Sequence, residues 1–412
     1  MHVLILTAGS AGDVHPFVAL GRTLRARGHE VTLIANEMFG DLVRRSDLEF
    51  VELGTEEQFR RVIANPDLWH PRKGLDVVLG DEAMPALQQT VDVLRAHRKD
   101  GTVLVASTLG FGARIVNEVD GTPLASVHLA PSVFQTMHRM PLFAGLPSLT
   151  RAPRWLKRLF WGVADRVTDK LLAPEINRLR GEAGLAPVSR IMMQWAHSPD
   201  LVVGLFPDWF GPAQPDWPPQ TRLTGFPLFD ESDLRPADSE LEAWLAAGEA
   251  PIVFTAGSAN IVAHRFFRES VAACERMGRR GLLVTTNRDS VPAALPETIY
   301  WSHYAPFSRV LPRAAAFVSH GGIGSVAQGI AAGLPQLVAA MGFDQFDNAS
   351  RLIDLGVGAL LPERRYNAKR AAEALDALIA DGKLRDACRA LRDRLPSHPL
   401  DDAAALIESI TR

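Results

Sequence analysis

The chain has 412 residues, which is enough for two or three domains of ordinary size. Its 44 Lys and Arg residues nearly balance its 47 Asp and Glu residues, whereas a nucleic-acid-binding protein usually has a strong basic excess. A 47% hydrophobic content with two cysteines and no apolar run of membrane-spanning length excludes membrane-spanning, disulfide-rich secreted and fibrous classes. The N-terminal segment does not have the pattern of a signal peptide, so we expect a cytoplasmic protein.

The first half of the chain alternates short apolar strands with helical segments. A buried strand is predicted at residues 3–6, followed by a small-residue loop and a helix that ends at Gly28, a typical C-terminal capping residue. The next strand, at 30–35, completes a βαβ unit. Further strands are predicted at 102–106, 124–129 and 201–205. This alternation predicts a parallel sheet that is covered on both faces.

The second half repeats the pattern after a change in composition. Prolines are frequent between residues 207 and 236, so we predict a linker at 216–238 between domains at 1–215 and 239–395. A strand at 252–255 and a helix at 262–277 open the second domain. Later strands are predicted at 282–285, 298–301, 316–319 and 336–340, and closing helices at 368–380 and 401–410. Two similar α/β domains with a cleft between them are therefore expected.

The segment 304–349 has the strongest functional signal. A predicted strand ends at His320, and a glycine-rich turn leads into a helix near 324–325. A helix N-terminus binds anions, and glycines let a phosphate approach the backbone closely. After the next strand, Asp344 and Gln345 offer polar side chains suited to sugar-like hydroxyls. The alternatives are a tight turn with a core histidine and a helix cap at Asp344.

With GSAGDVHPFVAL at the start, TGFPLFD near the linker, and HGGIG and FDQFDNA in this segment, the whole chain resembles the family-1 glycosyltransferases. Within that family it is most similar to the rhamnolipid-type bacterial rhamnosyltransferase and related small-molecule glycosyltransferases. The resemblance implies a hexosyltransferase of GT-B fold, with two Rossmann-like α/β domains facing each other across a cleft. It also implies an N-terminal acceptor domain, a C-terminal donor domain, and a final helical segment, 396–412, that packs back on the first domain.

The resemblance assigns a donor site to the C-terminal domain. His320 would contact the diphosphate, and Asp344 and Gln345 would bind the sugar hydroxyls. Tyr304 stands where the family usually has a base-stacking Trp, although an ordinary core or surface tyrosine is equally compatible with its position. The backbone cradle for the phosphates would consist of Gly257, Ser258, Gly322, Gly324 and Ser325.

Two departures from the family pattern bear on the donor nucleotide. Gln328 replaces the Glu that grips both ribose hydroxyls in many UDP-sugar enzymes, which favours a deoxyribonucleotide donor such as dTDP-rhamnose over UDP-glucose. Phe307 replaces a common glutamine of the base pocket. The implied co-substrate is a dTDP- or UDP-linked sugar, and we expect no metal and no other cofactor, because backbone N–H groups, a helix dipole and His320 suffice for a diphosphate leaving group.

An inverting transfer needs a general base for the acceptor hydroxyl. The family commonly has a His just after the first strand, and the matching residue here is Asp13, with His15 as a rival. The alternative is that Asp13 only caps the helix, in which case the helix dipole would hold its pKa low. The usual carboxylate partner of a catalytic His would fall near Ser107, which also favours Asp13.

We expect the acceptor to be a lipophilic small molecule, such as a hydroxy-fatty acid or a flavonoid, bound in the N-terminal half. Candidate lining residues are Phe134, Met137, Met140 and Trp195, although most such residues are ordinary core. The basic and apolar segment 151–170 could rest on a membrane, but a helix packed over the acceptor pocket is the favoured interpretation. We expect no nucleic-acid partner, at most peripheral membrane contact, and a monomer or weak dimer.

Two rival functions stay open at this point. The same architecture occurs in nucleotide-sugar epimerases or hydrolases, and the chain could also be a non-catalytic auxiliary of a partner transferase. The retention of Asp13, His320, Asp344 and Gln345 speaks against the auxiliary, because a decayed protein would be expected to lose some of them.

Overall fold

The computed structural model describes residues 1–70, 73–260 and 263–411. The chain divides into two compact units, an N-terminal unit of Met1–Pro227 with Pro396–Arg412 and a C-terminal unit of Leu228–Leu395. The boundary at Pro227 falls inside the segment 216–238, for which the sequence predicts a linker. Part of that segment, Thr221–Leu223, is a strand of the first unit.

The N-terminal unit is built on a seven-stranded sheet in the order β3-β2-β1-β4-β5-β6-β7, with every neighbouring pair parallel. The strands are β1 His2–Leu6, β2 Glu30–Ala35, β3 Glu49–Glu52, β4 Thr102–Ala106, β5 Leu124–His128, β6 Leu201–Gly204 and β7 Thr221–Leu223. The helices are α1 Ala11–Ala26, α2 Gly40–Arg45, α3 Glu56–Ile63, α4 Leu87–His97, α5 Phe111–Asp120 and α6 Arg154–Glu182. Two π-helical segments, Asp76–Ala83 and Ile191–Trp195, pack against α6.

The C-terminal unit has a six-stranded parallel sheet in the order β10-β9-β8-β11-β12-β13. The strands are β8 Ile252–Thr255, β9 Gly281–Val284, β10 Ile299–Ser302, β11 Ala316–Ser319, β12 Gln336–Val338 and β13 Gly358–Leu360. The helices are α7 Ser239–Ala246, α8 His264–Met277, α9 Phe307–Val310, α10 Ile323–Ala331, α11 Gln345–Asp354, α12 Ala368–Ala380 and α13 Gly382–Arg392. The predicted start of α8 at Val262 lies outside the described residues.

The order of the strands indicates the candidate ligand-binding region of each unit. In the N-terminal unit the chain leaves β1 towards β2 and β3 and returns to the other side of β1 at β4. In the C-terminal unit it leaves β8 towards β9 and β10 and returns at β11. Open parallel sheets bind ligands at such reversal points, beyond the carboxyl ends of the strands. The loops after β1 and β4, and those after β8 and β11, are therefore the candidate regions.

The last helix, α14 Pro399–Glu408, belongs to the N-terminal unit and packs on α1. Glu408 anchors it, because its carboxylate accepts two hydrogen bonds from Arg27, at 2.8 and 2.7 Å, and lies 2.7 Å from His29 Nε2. Among the residues that the structure describes, no helix is both long enough and apolar enough to cross a membrane.

Candidate active site

Asp13 lies in the first turn of α1, at the reversal point between β1 and β4. Ser10 is the N-cap residue, so Asp13 does not precede the helix as the capping alternative assumed; it occupies the third helical position, where its side chain forms a capping box with Ser10. Its Oδ2 accepts hydrogen bonds from the backbone N–H of Ser10 at 2.8 Å and from Ser10 Oγ at 3.1 Å. A Cβ on Gly9, which has φ +122°, would lie 2.4 Å from this oxygen, so the turn requires glycine there.

Burial raises the pKa of Asp13, and the two hydrogen bonds from Ser10 offset only part of that rise. The capping alternative implied a low pKa for this carboxyl, whereas its burial gives a raised one. The pKa of Glu82 is also raised, by burial and by the charge of Asp13. Glu82 belongs to the π-helical segment Asp76–Ala83, an element that the sequence analysis did not predict, and π-helical turns are frequent at functional sites.

His15 and Ser107, the other two residues considered for proton transfer, occupy different positions. His15 is two residues beyond Asp13 on α1, about 200° around the helix, so the two side chains do not share a face. Ser107 follows β4, and its backbone N–H donates to Leu6 O at 2.9 Å, which places it beside the end of β1. Ser107 Oγ is buried and has no hydrogen-bond partner among the described residues.

In the C-terminal unit, His320 lies between two glycines at the reversal point between β8 and β11. A Cβ on Gly257 would lie 2.5 Å from His320 Cε1, and one on Gly322 would lie 2.4 Å from Nε2. Both distances are impossible for a real side chain, and Gly257 also has φ +84°. The imidazole therefore fits only because both neighbours lack side chains, a constraint that a simple tight turn does not need.

Burial lowers the pKa of His320 to about 4, so the ring is neutral at neutral pH. Its Nδ1 is buried and has no hydrogen-bond partner among the described residues. A buried polar atom without a partner is costly, and a bound acceptor such as a phosphate oxygen would satisfy it. An anionic ligand would also raise the pKa of the ring and strengthen the contact.

The N-terminus of α10 follows His320 directly. Gly322 is the N-cap, so the N–H groups of Ile323, Gly324 and Ser325 lie in the first turn, where the helix supplies no acceptor. A Cβ on Gly324 would meet no described atom within 4 Å, which leaves open space beside these N–H groups. Free N–H groups and the positive end of the helix dipole together suit a phosphate. Gln328, one turn further along, is buried at 9% exposure.

Asp344 and Gln345 follow β12, whose loop neighbours that of β11. Gln345 is buried, and its Oε1 accepts from the backbone N–H groups of Met341 at 2.7 Å and Gly342 at 3.1 Å. Its oxygen is therefore committed to the loop, and only its amide N–H groups are available to a ligand. Asp344 Oδ2 accepts from Asn348 Nδ2 at 2.7 Å.

Asn348 connects the two elements of the predicted donor site. The same Nδ2 that donates to Asp344 also donates to the backbone oxygen of Gly321 at 2.9 Å. Asn348 is fully buried, and its Oδ1 has no partner among the described residues. From its place in the motif, Asn348 is one of the polar side chains suited to a polyhydroxyl ligand; its contacts give it a positioning role between the His320 loop and the Asp344 loop.

Tyr304 follows β10, and one face of its ring is covered. The Arg235 guanidinium carbon lies 4.3 Å from the ring centroid, and Arg235 pairs with the buried Glu231 at 2.9 Å. The Tyr304 hydroxyl donates to the backbone oxygen of Asp230. A nucleobase could stack only on the other face, or on this face after Arg235 has moved. Ser258, on the loop after β8, is exposed.

Three of the four predicted acceptor residues lie in the core of the N-terminal unit. Phe134 has no exposed surface and stacks on Trp217, with ring centroids 4.2 Å apart. Met140 and Trp195 are 3% and 8% exposed, and Met137 is partly exposed. Their surroundings are those of ordinary core residues, the alternative that the sequence analysis already held for most of this set. No group of three or more potential metal ligands occurs among the described residues.

Comparison with known proteins identifies the family. Residues 3–138 match the glycosyltransferase family 28 N-terminal domain, and residues 281–407 match the C-terminal domain of erythromycin biosynthesis protein CIII-like proteins. The chain is 31% identical over 430 residues to the O-mycaminosyltylonolide 6-deoxyallosyltransferase of Streptomyces fradiae, covering 99% of this chain and 97% of that protein. The chain belongs to the family-1 glycosyltransferases.

Solved structures agree on the fold of this glycosyltransferase. The glycosyltransferase of kitacinnamycin superposes with a TM-score of 0.74 at 22% identity, covering 100% of this chain and 99% of the other. The spinosyn rhamnosyltransferase SpnG, complexed with thymidine diphosphate, has a TM-score of 0.69 at 18% identity over 100% of both chains. These likenesses confirm the predicted GT-B class, with its two parallel-sheet α/β domains.

Proposed function

We propose that this glycosyltransferase moves a deoxyhexose from a dTDP-sugar to a hydroxyl group of a lipophilic small molecule, with inversion at the anomeric carbon and without a metal ion. The observation that carries the proposal is the arrangement around His320. A neutral imidazole with an unpaired, buried Nδ1 lies between two obligatory glycines at the N-terminus of α10. This arrangement suits a diphosphate that departs with negative charge.

The choice of a deoxyribonucleotide donor has two supports. Gln328 has no carboxylate with which to grip two ribose hydroxyls, and it is buried in α10 close to the predicted phosphate cradle. A structural relative is described in complex with thymidine diphosphate, and the S. fradiae relative is named for the transfer of 6-deoxyallose. Rhamnose is the sugar that we test first, with UDP-glucose as the second donor.

The proposed reaction is a single displacement. The acceptor oxygen forms a bond to the anomeric carbon while the bond from that carbon to the diphosphate oxygen breaks. Asp13 takes the hydroxyl proton, and its raised pKa makes it a stronger base than an ordinary carboxylate. The leaving diphosphate keeps the electron pair of the broken bond and is held by His320 and the first-turn N–H groups of α10. Charge stabilisation by these fixed donors is the basis for expecting no metal.

The lipophilic acceptor is supported by the S. fradiae relative, which is named for its action on O-mycaminosyltylonolide. Hydroxy-fatty acids, flavonoids and macrolide aglycones form the panel to be tested. Because Phe134, Met140 and Trp195 are buried, the acceptor pocket has to be mapped from other residues, beginning with the partly exposed Met137 and Gln135 beside it.

The test is a product assay by liquid chromatography and mass spectrometry, with dTDP-rhamnose or UDP-glucose and the acceptor panel, in the presence and absence of EDTA. We expect EDTA-resistant, acceptor-dependent product of inverted anomeric configuration by NMR. Asp13→Asn should lower kcat by roughly 10²–10⁴-fold, whereas His15→Ala should retain most of it. Donor consumption without acceptor would favour an epimerase or hydrolase, and full activity in Asp13→Asn would remove Asp13 as the base.

A further inference from the structure

The first part of α6 has an exposed face that the fold does not use. We call this the α6 outer face. It consists of the exposed residues of α6 between positions 154 and 170, namely Arg154, Trp155, Arg158, Leu159, Val163, Arg166, Val167 and Lys170. Its apolar members recur at every fourth position, from Trp155 to Val167, and so form one row about 18 Å long. They are 66%, 55%, 49% and 51% exposed in chain order, so they form a continuous apolar strip on the surface.

The opposite side of the same helix is anchored in the N-terminal unit. Trp161 is 2% exposed, and its Nε1 donates to the backbone oxygen of Thr136 at 2.9 Å. Lys157 Nζ donates to the backbone oxygens of Met137 and Thr150 at 2.8 and 2.6 Å. These contacts explain why the helix forms and stays in place. They leave the outer row exposed, so packing within this unit does not account for its four apolar side chains.

The charges on the α6 outer face all have one sign. Its four charged members are Arg154, Arg158, Arg166 and Lys170, and none of them forms an ion pair within the described part of the chain.

The acidic residues of the same stretch point elsewhere. Asp165 pairs with Arg190 at 3.0 Å, and Asp169 accepts from the backbone N–H groups of Arg190 and Ile191 at 2.7 and 2.9 Å. The face therefore combines an apolar row with uncompensated positive charge.

We propose that the α6 outer face is a peripheral docking surface for an anionic lipid bilayer. An apolar row that includes a tryptophan can enter the boundary between head groups and acyl chains, while the flanking Arg and Lys side chains reach the anionic head groups. A second copy of the chain fits this face less well. A two-fold dimer through α6 would set the same four cations against each other with no acid to compensate them. This inference goes beyond the proposed sugar transfer and does not depend on the identity of the donor or acceptor.

The test is cosedimentation of the full chain with vesicles of pure phosphatidylcholine and with vesicles of phosphatidylcholine and phosphatidylglycerol in equal parts. We expect binding to the anionic vesicles only, weakened by added salt. Reversing three charges in Arg154→Glu/Arg158→Glu/Arg166→Glu should weaken that binding on the order of a hundredfold. Trp155→Ser/Leu159→Ser should also weaken it, and should do so at every salt concentration because it removes the apolar contribution.

A matched control variant has the same change in net charge, but its three substitutions lie in the C-terminal unit, outside the α6 outer face. Arg276, Lys383 and Arg385 are exposed in the C-terminal unit, and reversing all three should leave vesicle binding within about threefold of the wild type. Circular dichroism and thermal melts verify that every variant is folded.

Three results would overturn the proposal. The first is the absence of binding to anionic vesicles. The second is an equal loss of binding in the control variant. The third is a protein that does not bind vesicles but self-associates by light scattering, with the self-association lost in Trp155→Ser/Leu159→Ser. That result would assign the α6 outer face to a second copy of the chain.

Discussion

Replacing Gly257 by alanine tests whether the imidazole of His320 is held in place by the absence of side chains around it. The new Cβ would lie 2.5 Å from His320 Cε1 and 2.8 Å from both ring nitrogens. Ordinary carbon contacts are about 3.5–4.0 Å, so the ring has to move by roughly 1 Å. A displacement of that size in a site that positions a reacting group costs about 10²-fold in rate, which corresponds to about 2.7 kcal/mol of lost transition-state stabilisation.

The substitution also has a purely conformational cost, which must be separated from this effect. Alanine at φ +84° is strained by about 1–2 kcal/mol whatever surrounds it. Gly356 provides the control, because it lies in the same unit at φ +72° and a Cβ there would meet nothing within 4 Å among the described residues. Gly356→Ala should therefore lower the free energy of unfolding by a similar amount without touching His320.

The assay compares kcat/KM for sugar transfer, the Kd for the nucleoside diphosphate by calorimetry, and the thermal midpoint of both variants. We expect similar melting temperatures, near-normal kcat/KM in Gly356→Ala, and a roughly hundredfold lower kcat/KM with weaker diphosphate binding in Gly257→Ala. Unchanged diphosphate affinity in Gly257→Ala would refute the reasoning. So would an equal loss of activity in the two variants, since strain alone would then explain it.

Three further outcomes follow from the electrostatics. Ser10→Ala removes a hydrogen bond that favours ionised Asp13, so the acid limb of the kcat/KM profile should move to higher pH, and an unmoved limb would contradict the assignment. Glu408→Gln should cost about 1 kcal/mol of unfolding free energy at neutral pH. Contacts with Arg27 and His29 lower the pKa of Glu408 to about 2. The difference in unfolding free energy between the wild type and Glu408→Gln should therefore become smaller as the pH falls from about 4.5 towards 2, and chemical denaturation measures it. Burial lowers the pKa of His197 to about 4, so the unfolded chain takes up a proton at this residue first as the pH falls below 6.5. This residue should therefore contribute a loss of about 3 kcal/mol of unfolding free energy between pH 6.5 and 4. His197→Asn should remove that contribution and leave the one from His320, whose pKa is also lowered.

The central strands could be predicted from the sequence because their burial leaves a simple pattern. A strand covered on both faces of a parallel sheet is a continuous apolar run, and β4, β8 and β11 have the predicted bounds. The sequence does not predict β3, β7 and β13. They lie at or next to the sheet edges, have three or four residues, and are partly exposed, so they contain no such run.

The sequence predicts which residues of the candidate site lie near the ends of strands, but not how buried they are or what they contact. Residues in the loop or first helical turn that follows a parallel strand lie at the carboxyl edge of the sheet whatever their neighbours are, which is why Asp13, His320 and Asp344 all fall at that edge. Burial and partners depend on residues distant in sequence. A local sequence pattern does not predict that Gln345 Oε1 accepts hydrogen bonds from its own loop, or that Phe134 is buried.

The structure also shows that a capping role and a general-base role are compatible for Asp13. Capping and proton transfer were alternatives because both require the same carboxylate. Asp13 Oδ2 receives both hydrogen bonds from Ser10, whereas no hydrogen bond to Oδ1 is found in the described part of the chain. One oxygen can therefore fix the orientation of the side chain while the other keeps its lone pairs for an acceptor hydroxyl. The bonds from Ser10 lower the basicity of the group and burial raises it, and because burial is the larger effect, a capping residue can also serve as a base.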